Sequence, residues 1–295
     1  MLTWSGASQA HLSYIPRKPH PLGIQLKTIC DGVSGVFLGF DPVEGAEQDA
    51  KKEFYSDFGS TTATTLRLTK RWFGSRRVVV ADSWFGSLKT CEELRENGLH
   101  SVLCVKTGHR GYPKQRLLDE CTERGQVVTL KTDVTLGWHG EGETVPIVAM
   151  CHRDKKPMTL VASCGLTLQG PSRVRHRYTW EKGAIVHRAW TLEQPHLMAV
   201  YRSNFNAIDR LNKETFGRSS LCEAIGTKSW WKRVWMGLLA MSVTNAYHAY
   251  AKPWEKKAGI DRFEFAEQLA NGLLANRWLA AEEQAPSRTL GEHTH

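Results

Sequence analysis

A strand, a helix and a second strand, packed into about thirty residues, constrain this chain more than any other stretch. Residues 76–82 (RRVVVAD) carry a β-branched run of the kind buried at a sheet centre. LKTCEELREN follows with helical spacing and stops at Gly98, and SVLCVK occupies 101–106. Two strands joined by a crossover helix lie parallel, with a right-handed connection. The expected fold class is therefore α/β.

Upstream, QLKTICD at 25–31 reads as a strand, Gly32 to Gly35 as a turn, and VFLGF at 36–40 as the returning strand of a hairpin that opens the sheet. Ser60 is placed to cap a helix carrying Leu66, Leu68 and Trp72. Residues 1–23, with Pro16, Pro19 and Pro21, have no helical or strand period and read as an irregular entry segment. From Gly108 to about residue 192 the runs VVTLKTDV, VPIVAM and MTLVAS predict an inserted, mostly β subdomain. After Pro195, HLMAVYRS reads as a strand or extended entry to a polar segment holding Asp209. A helix is predicted from Lys228 to about Lys252, ahead of Pro253, with Trp231, Trp235, Leu238 and Leu239 as its core face. The domain reading is thus 1–23, a catalytic-type domain over 24–252, and a helix over 261–282 with a polar tail in 253–295.

The chain has 295 residues, 41% of them hydrophobic, which suffices for a real core. With 39 Lys and Arg against 30 Asp and Glu, its formal charge of +9 favours a polyanionic partner. Residues 171–233 alone hold 12 Lys or Arg against 5 Asp or Glu, so the excess lies around Asp209. A solvated basic face is the bland alternative. Arg173, Arg175 and Arg177 alternate as on an exposed strand, where they suit either a phosphate backbone or a charged edge.

Seven cysteines, Cys222 among them, never form a C-x-x-C pair and read as reduced core residues. With no Asn-x-Ser/Thr sequon, no signal-like start and no apolar run near 20 residues, a soluble intracellular protein is expected. His139-Gly-Glu141 has the H-x-E spacing of zinc deaminases but lacks their C-x-x-C partner. HExxH, G-x-S-x-G, Walker A and G-x-G-x-x-G motifs are all absent.

The chemistry-bearing candidates are carboxylates. Asp31 follows KTIC and Asp82 follows VVVA, both at predicted strand ends, where neighbouring side chains converge. Joined by a third carboxylate from a helix, they suit a pair of Mg²⁺ ions about 3.5 to 4 Å apart, the arrangement used for in-line phosphoryl displacement. Strand-end aspartates also cap turns, and Asp31 before Gly32 and Asp82 before Ser83 suit that role equally.

Four blocks in order decide between these readings. ADSWFGSLKTCEEL (81–94) resembles the DNWFTS block of piggyBac-type transposases, with Asp82, Trp84, Phe85 and Ser87 matching and Ser83 and Gly86 departing. In VLCVKTGHRGYPK (102–114), Lys106, Arg110 and Pro113 match a second family block. YRSNFNAIDRLNKETF (201–216) resembles the segment bearing the family's third aspartate, here Asp209. Asn206 and Ala207 replace two glycines, and Asn212 stands where a fourth acidic residue is frequent. KSWWKRVWMGLLAMSVTNAYHAY (228–250) resembles the closing helix through Trp231, Lys232, Arg233, Asn245, Ala246 and Tyr247.

The resemblance implies an RNase H-like mixed sheet flanked by helices and interrupted by the β insertion. It also implies Mg²⁺-dependent strand cleavage and strand transfer on double-stranded DNA at element ends, with a TTAA-type target, in the nucleus. Asp31, Asp82 and Asp209 would hold two Mg²⁺ ions, with Mn²⁺ an alternative and Asn212 a supplementary ligand. Lys106, Arg110, Lys114, Arg210 and Lys213 would grip phosphates. Trp84 and Phe85 read as packing beneath the sheet rather than as base contacts. A homodimer is one option among oligomeric states. The family's N-terminal DNA-binding region and zinc-binding C-terminal module have no counterpart in these residues, and 51 residues from Asp31 to Asp82 is a short separation for the family. The alternative is therefore a truncated or domesticated descendant that binds DNA or a protein partner without catalysis.

Overall fold

The structure is a computed structural model that describes residues 1–5, 12–18, 20–106, 108–137, 142–165, 167–217, 225–251 and 259–275. Among these residues the strands are β1 (Leu2–Thr3), β2 (Ser13–Tyr14), β3 (Leu22–Ile24), β4 (Leu26–Cys30), β5 (Phe37–Pro42), β6 (Val78–Ala81), β7 (His100–Cys104), β8 (Val127–Thr135), β9 (Thr144–Arg153), β10 (Pro157–Ala162), β11 (Arg173–Glu181) and β12 (Ala184–Leu192). The α-helices are α1 (Ala46–Asp49), α2 (Tyr55–Thr69), α3 (Leu88–Glu96), α4 (Lys114–Glu120), α5 (His196–Asn204), α6 (Ala207–Thr215), α7 (Trp230–Ala251) and α8 (Arg262–Leu274). His139, Glu141, Cys222 and residues 276–295 lie outside the described residues.

The βαβ unit forms as the sequence requires. Ser87 caps α3 by accepting from the Thr90 N–H, Gly98 ends the helix at φ 68°, and β6 and β7 pair in parallel. The full sheet has the order β6-β7-β10-β9-β8, with every other pairing antiparallel. The segment after 108 is mostly β, as expected, yet three of its strands continue this sheet instead of standing apart. The sole long ribbon outside it among the described residues is β11–β12.

Strand alternation sends side chains to two separate cores. Leu103, Ile147, Cys151 and Val161 face one side and pack with Leu66 of α2, Leu94 of α3 and Leu117 of α4. Val102, Met150, Leu160 and Ala162 face the other and pack with Leu197, Met198 and Tyr201 of α5. Each such fully buried aliphatic side chain contributes about 1.5 to 3 kcal/mol relative to exposure. A sheet covered on both faces explains why its strands read as continuous apolar runs.

Three local expectations need correction. HLMAVYRS is a helix, α5, not a strand: Leu197, Met198 and Tyr201 recur at helical spacing on one buried face, and that face has the sheet to cover. Residues 1–23 are not wholly irregular, because β1, β3 and β2 form a small antiparallel sheet that buries Leu2, Trp4 and Ile24 against Met236. Strands of two or three residues are too short to leave a period. On α7, Trp231 and Trp235 are exposed, at 56% and 59%, and the buried stripe is Arg233, Met236, Gly237, Ala240, Met241 and Thr244. At one position of that face only glycine fits. A Cβ at Gly237 would come within 2.8 Å of the Leu2 side chain. The helix predicted from Ser60 does start there in substance, since Gly59 (φ 70°, ψ −179°) breaks α2 one residue earlier.

Candidate active site

Asp31 sits in the turn between β4 and β5. Its backbone N–H donates to the Val36 carbonyl, and its Oδ2 accepts from the Ser34 N–H. Asp82 follows β6, where Oδ1 accepts from the Trp84 N–H at 2.9 Å while its carbonyl accepts from Phe85 and Gly86. Both carboxylates therefore cap turns. Asp209 lies in the first turn of α6, one turn ahead of Asn212. All three aspartates and Asn212 line a single cavity of about 460 Å³.

That cavity opens where the sheet is interrupted. The hairpin β4–β5 forms its own two-stranded sheet, and β6 is the edge of the five-stranded one, so no ladder joins β4 to β6. Leu26 to Cys30 and Val78 to Ala81 both line it. The hairpin is held instead by the C-terminal helices. Asn245 of α7 clasps the Phe37 backbone, accepting from its N–H at 2.8 Å and donating to its carbonyl at 3.0 Å, and Leu211 and Met241 pack on the Phe37 side chain. Arg67 of α2 adds an ion pair to Asp41 at 2.6 Å. Asp31 and Asp209 thus lie on the elements gathered around Phe37, and Asp82 at the edge of the five-stranded sheet.

Lys27 reaches into the cavity, and the sequence reading missed it. Its Nζ lies 3.3 Å from the Trp84 ring centroid and 5.8 Å from that of Phe85. Burial lowers its pKa to about 8, against the opposing pull of Asp82. No motif of the sequence marks it, because its place depends on how β4 lies beside the loop after β6. Trp84, 41% exposed, lies at the cavity wall in edge contact with Phe85, so the packing role expected for it is replaced by a contact with Lys27. Burial also raises the Cys30 thiol to about 11. Beneath Asp82, Gly86 is obligatory, since a Cβ there would meet the Cys104 carbonyl at 1.8 Å.

The predicted DNA-contacting cations occupy two places. Lys106, Arg110 and Lys114 lie after β7, where the Lys114 ammonium donates to the Lys106 carbonyl. Arg210 and Lys213 are exposed on α6. Arg175 is drawn into an ion pair with Asp154 at 2.6 Å, whereas Arg173 and Arg177 stay exposed.

Asp31, Asp82, Asp209 and Asn212 offer the hard oxygen donors that Mg²⁺ takes. Among the described residues, however, no three His, Cys, Asp or Glu side chains are close enough to share a metal ion. The donor set suits the metal in kind but not in placement.

A family model described as Transposase IS4, of the DDE type, matches residues 1–247. The chain belongs to the DDE transposase family. Members of this family typically use divalent metal ions. The transposase chain is also similar in fold to the piggyBac transposase in a cryo-EM structure of its synaptic complex with hairpin DNA, at TM-score 0.69 and 18% identity. That match covers 97% of this chain and 53% of the other, so the chain spans about half the length of the transposase it resembles. No curated protein sequence matches it. No helix among the described residues of this transposase chain is long and apolar enough to cross a membrane.

Proposed function

We propose that this chain is a piggyBac-like DNA strand transferase domain that cleaves and joins double-stranded DNA at the ends of a mobile element. The carrying observation is the shared cavity: Asp31, Asp82 and Asp209 come from three elements distant in sequence, yet all line it, together with Asn212. On this reading Asp31, Asp82 and Asp209 would hold Mg²⁺ or Mn²⁺ once brought closer together than they lie here. Lys106, Arg110, Lys114, Arg210 and Lys213 contact phosphates, consistent with the chain's basic excess. The TTAA-type target, the nuclear setting and a homodimeric assembly are parts of the same proposal.

A second reading has its own observation. The separation of β4 from β6, with no three-residue metal group among the described residues, favours a descendant that binds DNA without cutting it.

Plasmid excision with Mg²⁺, run beside a DNA mobility-shift assay, separates the two. Under the strand-transferase reading, excision is lost on Asp82→Asn, Asp31→Asn or Asp209→Asn while DNA binding persists. Excision that survives Asp82→Asn would remove that residue from the mechanism. DNA binding with no excision by the wild-type chain, alone or within a longer form, would establish the non-cutting reading.

A further inference from the structure

We propose that the β11–β12 ribbon is a further DNA-contacting element: it seats in a groove of double-stranded DNA, its aromatic face toward the bases and Arg177 and Arg188 against the phosphates on either side. The proposal rests on the reading that the chain binds DNA and goes beyond it, because Lys106, Arg110, Lys114, Arg210 and Lys213 all lie off the ribbon.

The ribbon has the build for such a role. Each strand has nine residues, so it is about 30 Å long. Its base is pinned where Asp154, just after β9, takes Arg175 at 2.6 Å and Arg124 at 3.1 Å. Beyond that clamp no other described strand pairs with it, and no residue from Val174 to Thr191 is buried. Two strands about 5 Å apart, with their side chains, match the width of a B-DNA major groove at about 12 Å.

Its two faces are chemically unlike, and the packing of the fold uses neither. Alternation puts His176, Tyr178 and Trp180 on one face, opposite Ala189, His187 and Ile185. The rings of Tyr178, His187 and His176 stack in a row, with centroids 4.7 and 5.1 Å apart. Tyr178, Trp180 and Ile185 are 68%, 73% and 67% exposed, a contiguous apolar surface of the kind that marks an interaction site. The other face sets Arg177 directly opposite Arg188. Like charges in that position destabilise a ribbon. Glu181 offsets this only weakly, through a solvent-exposed pair with Arg188 at 2.9 Å. Phosphates on the two groove walls relieve the repulsion, one arginine leaning over each free edge.

Charge selects nucleic acid over a protein or a second copy. Residues 173–192 hold five Lys or Arg against one acid, so +4 of the chain's +9 sits in this hairpin. Two surfaces this basic repel each other, whereas cations interleaved with aromatic rings complement a phosphate backbone and its bases.

The experiment measures binding of the whole chain to a fluorescein-labelled duplex of mixed sequence, by anisotropy over a salt series. Oligomeric state is read by sedimentation and folding by circular dichroism. Arg177→Gln with Arg188→Gln is expected to weaken binding at least about tenfold at low salt and to flatten the salt slope by about 2. Trp180→Ala should weaken it about fivefold or more at unchanged slope. Arg177→Lys with Arg188→Lys, which keeps the charge, should keep the wild-type slope. Lys70→Gln with Arg71→Gln removes two exposed cations off the ribbon and should leave the slope unchanged. If the ribbon variants bind like the wild type while Lys106→Gln with Arg110→Gln lowers affinity, the ribbon proposal falls and the DNA reading stands. If the wild-type chain binds no duplex, both fall. A loss in the Lys70 and Arg71 variant equal to that of the arginine pair would trace the effect to net charge alone and remove the ribbon from it. A preference for a single strand of the same sequence, abolished by Trp180→Ala, would replace groove docking with base stacking and overturn the proposal. So would a Trp180→Ala chain that loses an oligomer yet keeps its DNA affinity, because the aromatic face would then belong to a second copy.

Discussion

The five-stranded sheet and the β4–β5 hairpin carry one predicted carboxylate each, and they are held by different means. The sheet is sealed on both faces by apolar side chains from α2, α3, α4 and α5, and Asp82 inherits that rigidity. The hairpin rests on a polar clasp from Asn245, an ion pair from Arg67 and a small cluster around Phe37. Burial is distributed and hard to undo at one point, whereas a clasp concentrates its effect in one side chain. The lesson concerns the cavity between them, whose width depends on the weaker partner.

The comparison can be broken most forcefully in the sheet. Leu103→Ala should cost about 2 to 5 kcal/mol and lower the single cooperative unfolding transition, read by chemical denaturation. A local effect restricted to the hairpin would show that the sheet is not the organising unit.

Asn245→Ala leaves the Phe37 N–H and carbonyl without their partner, at about 1 to 3 kcal/mol. Here the expectation is selective: hydrogen exchange should accelerate in residues 26–42 while the β7 and β10 amides keep their protection. Uniform acceleration would merge the two regions into one.

Gly86→Ala tests the floor under Asp82, where a methyl group collides with the Cys104 carbonyl. The expected loss is roughly 1 to 3 kcal/mol, as for other overpacked sites. It should also move the Trp84 environment, read by intrinsic fluorescence against a Trp84→Phe control.

The smallest effect is a pH dependence at the boundary between the regions. Lys27 has a folded pKa of about 8 against an ordinary 10.5. Between those values the unfolded chain holds the proton more firmly, so stability rises with pH across that window. Lys27→Met should lack this rise when denaturation at pH 8 is compared with denaturation at pH 10, and an identical rise in both proteins would dissociate it from Lys27.

The two regions also differ in how far sequence reasoning reached. Val78 to Cys104 announced themselves because β-branched runs, a Ser cap and a terminal glycine all act locally. The α5 helix did not, since LMAVY suits strand and helix alike and only the sheet face chose between them. Trp231 and Trp235 misled by their size: on α7 the close approach of Leu2 required glycine at 237, which weakens the apolar pattern of the buried face. Asp82 and Asp209 were named from ordered blocks and Asp31 from its place at a strand end, while the only hint of the gap between β4 and β6 was the short separation of 51 residues between Asp31 and Asp82. The gap reflects pairings that did not form, and Lys27 acquires meaning only once that gap exists.

The Asn245 clasp joins residues 208 positions apart in the chain. Contacts of such separation are reached late, because the loop they close carries a large entropic cost. During synthesis the β4–β5 hairpin leaves the ribosome 208 residues ahead of its anchor. The βαβ unit has its partners in hand long before that moment. Asp31 is thus made before Asp82 and settles after it, so assembly of this cavity is timed by the emergence of α7.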